Sequence, residues 1–317
     1  MTDANKTPAR IAVILPCYNE EAAIAKTVRD FRAALPDAKV YVYDNNSKDR
    51  TAEAARDAGA IVRNELRQGK GNVMRRMFAD VEADIYVLAD GDDTYDASVA
   101  PALIAKLLNE ELDLVTGRRV HTEAAAYRAG HVWGNRMLTG LTSLMFGITL
   151  RDMLSGYRIM SRRFVKSFPF TAEGFGIETE LTVHAVRLLM PMAEVDTPYK
   201  ERPPGSASKL NTYRDGFRIL FTIGHLIREE RPLFFFSVIA GLLALTSVGF
   251  GWSLLQEFMR TGLVPRLPTA LLATGLMVIA FLSLMSGLIL DTVTRGRWEA
   301  KRMAYLALRG PLDRRNS

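Results

Sequence analysis

The stretch DIYVLADGDDTYD, residues 84–96, decides how the chain is read. Its first half is an apolar, β-branched and aromatic run of the kind that forms a buried strand. Its second half places four carboxylates, Asp90, Asp92, Asp93 and Asp96, within seven positions of a chain whose formal net charge is +6. Like charges so close repel one another unless something cationic is recruited. An Asp-x-Asp at a strand end offers hard oxygen ligands, which suit Mg²⁺ or Mn²⁺ held by one or two carboxylates and completed by water and substrate phosphate. Asp-rich turns also form local backbone hydrogen bonds, so the tripeptide needs support from the rest of the chain.

That support lies on either side. IAVILP (11–16), KVYVYD (39–44), AIVRN (60–64) and LDLVTG (112–117) read as further buried strands. Between them, EEAAIAKTVRDFRAAL (20–35) and TAEAARDAGA (51–60) carry apolar residues at helical spacing. Strand and helix in repeated alternation predict an α/β fold with a mostly parallel sheet covered on both faces. In such sheets ligands gather beyond the carboxyl ends of the strands. PCYNEE, DNNSKDRT, GKGN and DGDD follow successive strands, so their polar side chains are expected at one edge. Residues 130–210 are less regular, with helices expected over 132–146 and 176–189 and an extended segment from Met192 running into a Pro/Gly/Ser loop.

The last third has a different character. Residues 233–255 and 267–290 contain no Asp, Glu, Lys or Arg, and each exceeds the roughly 20 residues needed to cross a bilayer as a helix. Two transmembrane helices are expected, preceded by an amphipathic juxtamembrane helix over 211–232. Seven basic residues from Arg295 to Arg315 follow the second span, whereas the connecting loop has only Arg260 and Arg266. Both ends are therefore expected in the cytoplasm, at the inner membrane of a cell. The N-terminus has no apolar segment resembling a signal peptide, and the lone Cys17 permits no internal disulfide. The predicted organisation is a cytoplasmic catalytic domain (1–210), the juxtamembrane helix (211–232), two spans with a short external loop (233–290) and a basic tail (291–317). The basic residues cluster beside the spans instead of forming an aromatic-interleaved stripe, so no nucleic-acid partner is expected.

PCYNE, YDNNSKDRT, GKGN, DGD, SGYR and RPPGSASK occur in an order and spacing that resemble the inverting family-2 glycosyltransferases of GT-A fold, within these the polyprenol-phosphate glycosyl synthases. The resemblance covers roughly residues 10–215. It implies a nucleotide-sugar donor, a polyprenyl phosphate acceptor at the lipid bilayer and Mg²⁺ or Mn²⁺ at Asp90 and Asp92. It further implies that Pro16, Tyr18 and Glu20 line the nucleoside pocket, that Asp44 contacts base or ribose, and that Lys70 lies near the nucleotide. Arg202 and Lys209 would close on the donor phosphates, and Arg119 and Arg128 would hold the acceptor phosphate. The chain departs from the pattern at two places. Thr94 stands where some relatives have an amide-bearing metal ligand, and Arg119, Arg128 and Asn135 fit an Arg, Ser, Asn series only loosely, with no Ser nearby.

Chemically, a divalent ion with Arg202 and Lys209 would offset charge as the donor's C1–O bond breaks. A phosphate monoester, with a second pKa near ~6, needs no strong general base, so His121, His131, His184 and His225 have no required role. UDP-linked hexoses or N-acetylhexosamines are the favoured donors, and the resemblance leaves room for a homo-oligomer. The competing readings are a membrane-anchored glycosyltransferase with another glycan or lipid acceptor, a processive polysaccharide synthase, and a non-catalytic nucleotide-binding membrane sensor. The processive reading is weakened because the only GRW lies beyond the second span, at 296–298.

Overall fold

The computed structural model describes residues 9–121, 140, 151–169, 176–200, 224–225 and 227–310. The chain divides into two compact units, Met1–Gly216 with Lys301–Ser317, and Phe217–Ala300.

The first unit is built on a seven-stranded sheet of order β3-β2-β1-β4-β6-β5-β7. Its strands are β1 (Ile11–Cys17), β2 (Lys39–Asp44), β3 (Ile61–Asn64), β4 (Ile85–Leu88), β5 (Leu114–His121), β6 (Arg158–Ser161) and β7 (Met192–Tyr199). All are parallel except β6, which runs against both β4 and β5. The mostly parallel sheet expected from the alternation of elements is therefore present. Its central antiparallel strand was hidden within the irregular stretch, because RIMS is short and begins with a charged residue. β5 runs four residues beyond its expected end at 117 because β7 pairs with it along its whole length, from Leu114 opposite Met192 to His121 opposite Tyr199.

Burial on both faces explains the near-continuous apolar strands. In β1, Val13 and Leu15 face a core shared with Val28, Phe31, Leu103 and Leu107. Ile14 faces the opposite core with Met74, Met77, Phe78, Phe164 and Leu181. Full burial of each such side chain is worth roughly 1.5–3 kcal/mol. The covering helices are α1 (Glu21–Ala34), α2 (Thr51–Asp57), α3 (Lys70–Asp80), α4 (Ala100–Asn109), α5 (Arg162–Ser167) and α6 (Ile177–Arg187). α1 buries Ala23, Ile24, Thr27, Val28 and Phe31, one face at helical spacing. It ends before Leu35, where Pro36 disfavours further helix.

The second unit contains α7 (Pro232–Thr261) and most of α8 (Leu267–Leu306), whose residues from Lys301 onward belong to the first unit. Both helices are long and apolar enough to cross a membrane. Apart from Pro232 at the start of α7, their buried positions recur every seven residues, at Ala240, Ser247 and Leu254 and at Ala273, Ala280, Gly287 and Thr294. Mostly small residues let the two backbones approach closely. A Cβ on Gly287 would lie 2.9 Å from Cβ of Phe236, and Ser247 Oγ donates to the Ala273 carbonyl at 2.7 Å. The helix expected over 132–146, apart from Gly140, and most of that expected over 211–232 lie outside the described residues.

Candidate active site

Four polar loops that are far apart in sequence interlock beyond the carboxyl ends of β1, β2, β3 and β4. The turn after β1 is tied to the loop after β2 through hydrogen bonds from Asn19 N–H to Ser47 Oγ (2.9 Å), Glu20 N–H to Thr51 Oγ1 (2.8 Å) and Lys48 N–H to Asn19 Oδ1 (2.7 Å). Asn19 and Asn46 adopt left-handed backbone conformations, φ 53° and 59°, which asparagine tolerates better than most residues. Asn45 pins the third loop. Its amide donates to the carbonyls of Glu65 (3.0 Å) and Arg67 (2.8 Å), and its Oδ1 accepts from Gly69 N–H (2.7 Å). Gly69, at φ 126°, supplies a conformation that side-chain-bearing residues avoid and turns the chain into α3 at Lys70.

Asp44, at the end of β2, is buried, and its Oδ2 accepts from Ser47 N–H at 3.2 Å. Its Oδ1 has no hydrogen-bond partner among the described residues. A buried carboxylate oxygen without a donor is costly, and an N–H or O–H from a ligand would satisfy it.

Beyond β4, Asp90 Oδ1 accepts a hydrogen bond from Lys70 Nζ at 2.6 Å, and the same ammonium reaches Glu178 Oε1 on α6 at 2.6 Å. Burial acts to lower the Lys70 pKa, but the two carboxylates outweigh it and hold the pKa above the ordinary lysine value. Asp92 is buried, and its Oδ1 accepts from Thr94 Oγ1 at 2.6 Å. Gly91 lets this loop pass close to the end of β1, because a Cβ there would lie 2.3 Å from Cys17 Sγ. Among the described residues no three His, Cys, Asp or Glu side chains converge as a ready-made metal cage. Asp90 and Asp92 are the carboxylates that could hold a divalent ion, and they fit one that draws its remaining ligands from water and phosphate.

On β5, Arg119 makes a two-pronged contact with Asp152, Nε to Oδ2 at 2.8 Å and Nη2 to Oδ1 at 2.7 Å. Its backbone N–H also donates to Asp152, at 3.2 Å. Glu194 on β7 accepts from the backbone N–H groups of Arg151 and Asp152, and the guanidinium lies 5.7 Å from the centre of the Tyr199 ring. Burial works against the Arg119 charge, but the hydrogen bonds to Asp152 prevail and raise its pKa. Paired in this way, Arg119 keeps its charge in a fixed orientation.

The model of glycosyl transferase family 2 matches residues 12–168. The protein RfbJ of Shigella flexneri is 57% identical over 122 residues, 38% of this chain and 95% of RfbJ. The dolichyl-phosphate hexose transferase of Haloferax volcanii is 30% identical over 221 residues, 70% of this chain and 95% of that protein. The chain belongs to glycosyl transferase family 2. Among solved structures, the glucosyl-3-phosphoglycerate synthase of Mycobacterium tuberculosis in complex with Mn²⁺, UDP-glucose and glycerol 3-phosphate is similar at a TM-score of 0.56 and 25% identity, over 68% of this chain and 80% of that one.

For this family 2 glycosyltransferase, the structure brings Asp44, Lys70 and Asp90 into one connected set of loops with Asp92, with Pro16 near the end of β1 and with Tyr18 and Glu20 in the turn that follows it. Lys70, expected near the nucleotide, has its ammonium between Asp90 and Glu178. Arg119 is paired with Asp152. Arg128, Asn135, Arg202 and Lys209 lie outside the described residues. Sequence reasoning missed Glu178, Asp152 and the closeness of Gly156 to Asp90, whose Oδ2 would lie 2.7 Å from a Cβ there. Gly156 stood in the SGYR motif without an assigned reason, whereas Glu178 lies 108 residues from Lys70, in a helix whose local pattern singles out no one carboxylate.

Proposed function

We propose that this glycosyltransferase moves a hexose or N-acetylhexosamine from a UDP-linked donor to polyprenyl phosphate, with inversion, in a metal-dependent reaction at the cytoplasmic face of the inner membrane. The observation that carries the reading is the presence, in one chain, of the Asp44, Asp90 and Asp92 cluster and two helices long and apolar enough to cross a bilayer. A polyprenol tail stays in the bilayer, so an enzyme acting on its phosphate must work at the interface. The name of the Haloferax volcanii relative supports a lipid phosphate acceptor, and the UDP-glucose bound by the Mycobacterium tuberculosis neighbour supports a UDP donor.

In this reading Asp44 Oδ1 accepts a hydrogen bond from the nucleoside, which Pro16, Tyr18 and Glu20 surround. Asp90 and Asp92 hold Mg²⁺ or Mn²⁺, and the ion when bound offsets the charge of the departing diphosphate. Arg202 and Lys209 add cations on the same diphosphate. Arg119, oriented by Asp152, holds the acceptor phosphate in line with C1 together with Arg128, and such positioning is the main source of rate. The acceptor oxygen is already largely anionic at neutral pH, so no side chain has to remove a proton. Attack on the face opposite the leaving group inverts the anomeric centre. The basic residues beside the spans dock the enzyme on anionic lipid, with both ends cytoplasmic.

The test is a screen of radiolabelled nucleotide-sugars with undecaprenyl phosphate and Mg²⁺ or Mn²⁺. Label passing into the organic phase from a UDP-sugar is the expected result. Transfer only to water-soluble acceptors would overturn the lipid assignment. Asp92→Ala is expected to abolish transfer while leaving the circular dichroism spectrum unchanged, and retained transfer would remove Asp92 from the site.

A further inference from the structure

We infer that Glu178 is a positioning residue that sets the orientation and available charge of Asp90 through Lys70. The inference rests on the reading of Asp90 and Asp92 as the ion-holding carboxylates. Lys70 Nζ lies 2.6 Å from Asp90 Oδ1 and 2.6 Å from Glu178 Oε1. An ammonium paired with Asp90 alone would compete directly with a divalent ion for that carboxylate. Glu178 takes up another of the three ammonium donors, so Lys70 orients Asp90 without claiming its whole charge.

Glu178 is well placed to do this. It is buried in the first turn of α6, where the helix dipole favours a carboxylate. Its carbonyl is fastened by Arg158 Nη2 at 2.9 Å. Arg158, the first residue of β6 and fully buried, also grips the carbonyls of Met153 (2.8 Å) and Ser155 (3.1 Å) and the hydroxyl of Thr182 (2.9 Å). One guanidinium thus joins the turn that walls Asp90 Oδ2 at Gly156 to the helix turn that, through Lys70, fixes Asp90 Oδ1. Both oxygens of Asp90 are placed relative to a single buried residue.

The experiment is a double-substitution cycle on the full chain in detergent, with free Mn²⁺ measured by electron paramagnetic resonance during titration and no donor present. Glu178→Gln in the otherwise unchanged chain is expected to weaken Mn²⁺ binding about tenfold, at the low end of what loss of an outer-shell partner costs. The same substitution made on Lys70→Met is expected to change it by less than about twofold, because the path runs through Lys70. Glu178→Asp keeps the charge but shortens the reach, and it gives an intermediate loss that serves if the Gln variant does not fold. Equal weakening in both backgrounds, or none in either, would overturn the inference. Failure of the unsubstituted chain to bind Mn²⁺ would instead remove the metal reading, and the inference with it.

Discussion

A Cβ on Gly156 would stand 2.7 Å from Oδ2 of Asp90 and 3.2 Å from its Cγ. Both groups are otherwise fixed. Gly156 N–H donates to the Tyr95 hydroxyl at 2.8 Å, and the other oxygen of Asp90 is held by Lys70. Gly156→Ala must therefore rotate a short carboxylate away from its place. The global fold loses little, since the displaced atom is a partly exposed side-chain end. The site loses more, because a misplacement of about 1 Å can cost on the order of 10²-fold in rate. The expected outcome is a fall of that size in kcat/KM with a nearly unchanged thermal midpoint.

The same kind of close approach at Gly91 has the opposite balance. Its absent Cβ would lie 2.3 Å from Cys17 Sγ and 3.2 Å from Ile24 Cδ1, both fully buried. Gly91→Ala overpacks the junction of β1, α1 and the acidic loop, at a cost of roughly 1–3 kcal/mol. Removing Sγ with Cys17→Ala in the same chain is expected to restore part of the lost thermal midpoint. Unaltered stability of the single variant would mean that the loop can move away freely.

These two glycines also show how much the chain discloses before folding. DGD and SGYR could be recognised as motifs, and the carboxyl-end rule placed the acidic loop correctly at the rim. Strand alternation gave β1, β2, β3 and β4 to within a few residues, because apolar runs buried on both faces leave a local imprint. The closeness of Gly156 to Asp90 and of Gly91 to Cys17 depends on which loops fold together, and no spacing along the chain encodes that. Glu178 and Asp152 escaped notice for the same reason: each acquires its role from a cation on a distant element. β6 escaped because four residues beginning with arginine resemble a loop until the buried carbonyls that Arg158 grips are known.

His184 on α6 gives a pH dependence that can be measured on stability alone. It is buried, its Nε2 meets Ser167 Oγ at 3.1 Å, and the rings of Phe164 and Phe168 stand edge-on to it. Burial, helped by the charge of Lys301, pushes its pKa down to about 3. The folded state thus resists a proton that the unfolded chain accepts near pH ~6.5. Stability is complete above that value and is lost as pH falls through the window toward 3, by about 2 kcal/mol between pH 7 and pH 5. His184→Gln is expected to flatten this part of the profile in denaturation followed by circular dichroism. A variant with the same acid slope as the parent would assign the loss to other groups.

The end of α8 provides the last test. Asp113, wholly buried at the start of β5, receives hydrogen bonds from Ser161 Oγ (2.6 Å), Arg163 Nε (2.6 Å) and the Tyr305 hydroxyl (2.7 Å). The Arg163 guanidinium also lies over the Tyr305 ring, 4.8 Å from its centre. Burial, reinforced by the Asp113 carboxylate, raises the phenol's pKa, so the hydroxyl remains a donor throughout the working range. Tyr305→Phe preserves the ring and its contact with the guanidinium but takes one donor from a buried carboxylate, a loss of about 1–3 kcal/mol. The expected signature is a lowered thermal midpoint of the first unit, together with faster amide exchange in Lys301–Leu306. An unshifted midpoint and unchanged exchange would show that the hydroxyl contributes nothing to holding this last turn against β5. Tyr305→Ala, which also removes the ring, should cost more than Tyr305→Phe by what the ring contributes through the stacked guanidinium and through its packing against the core.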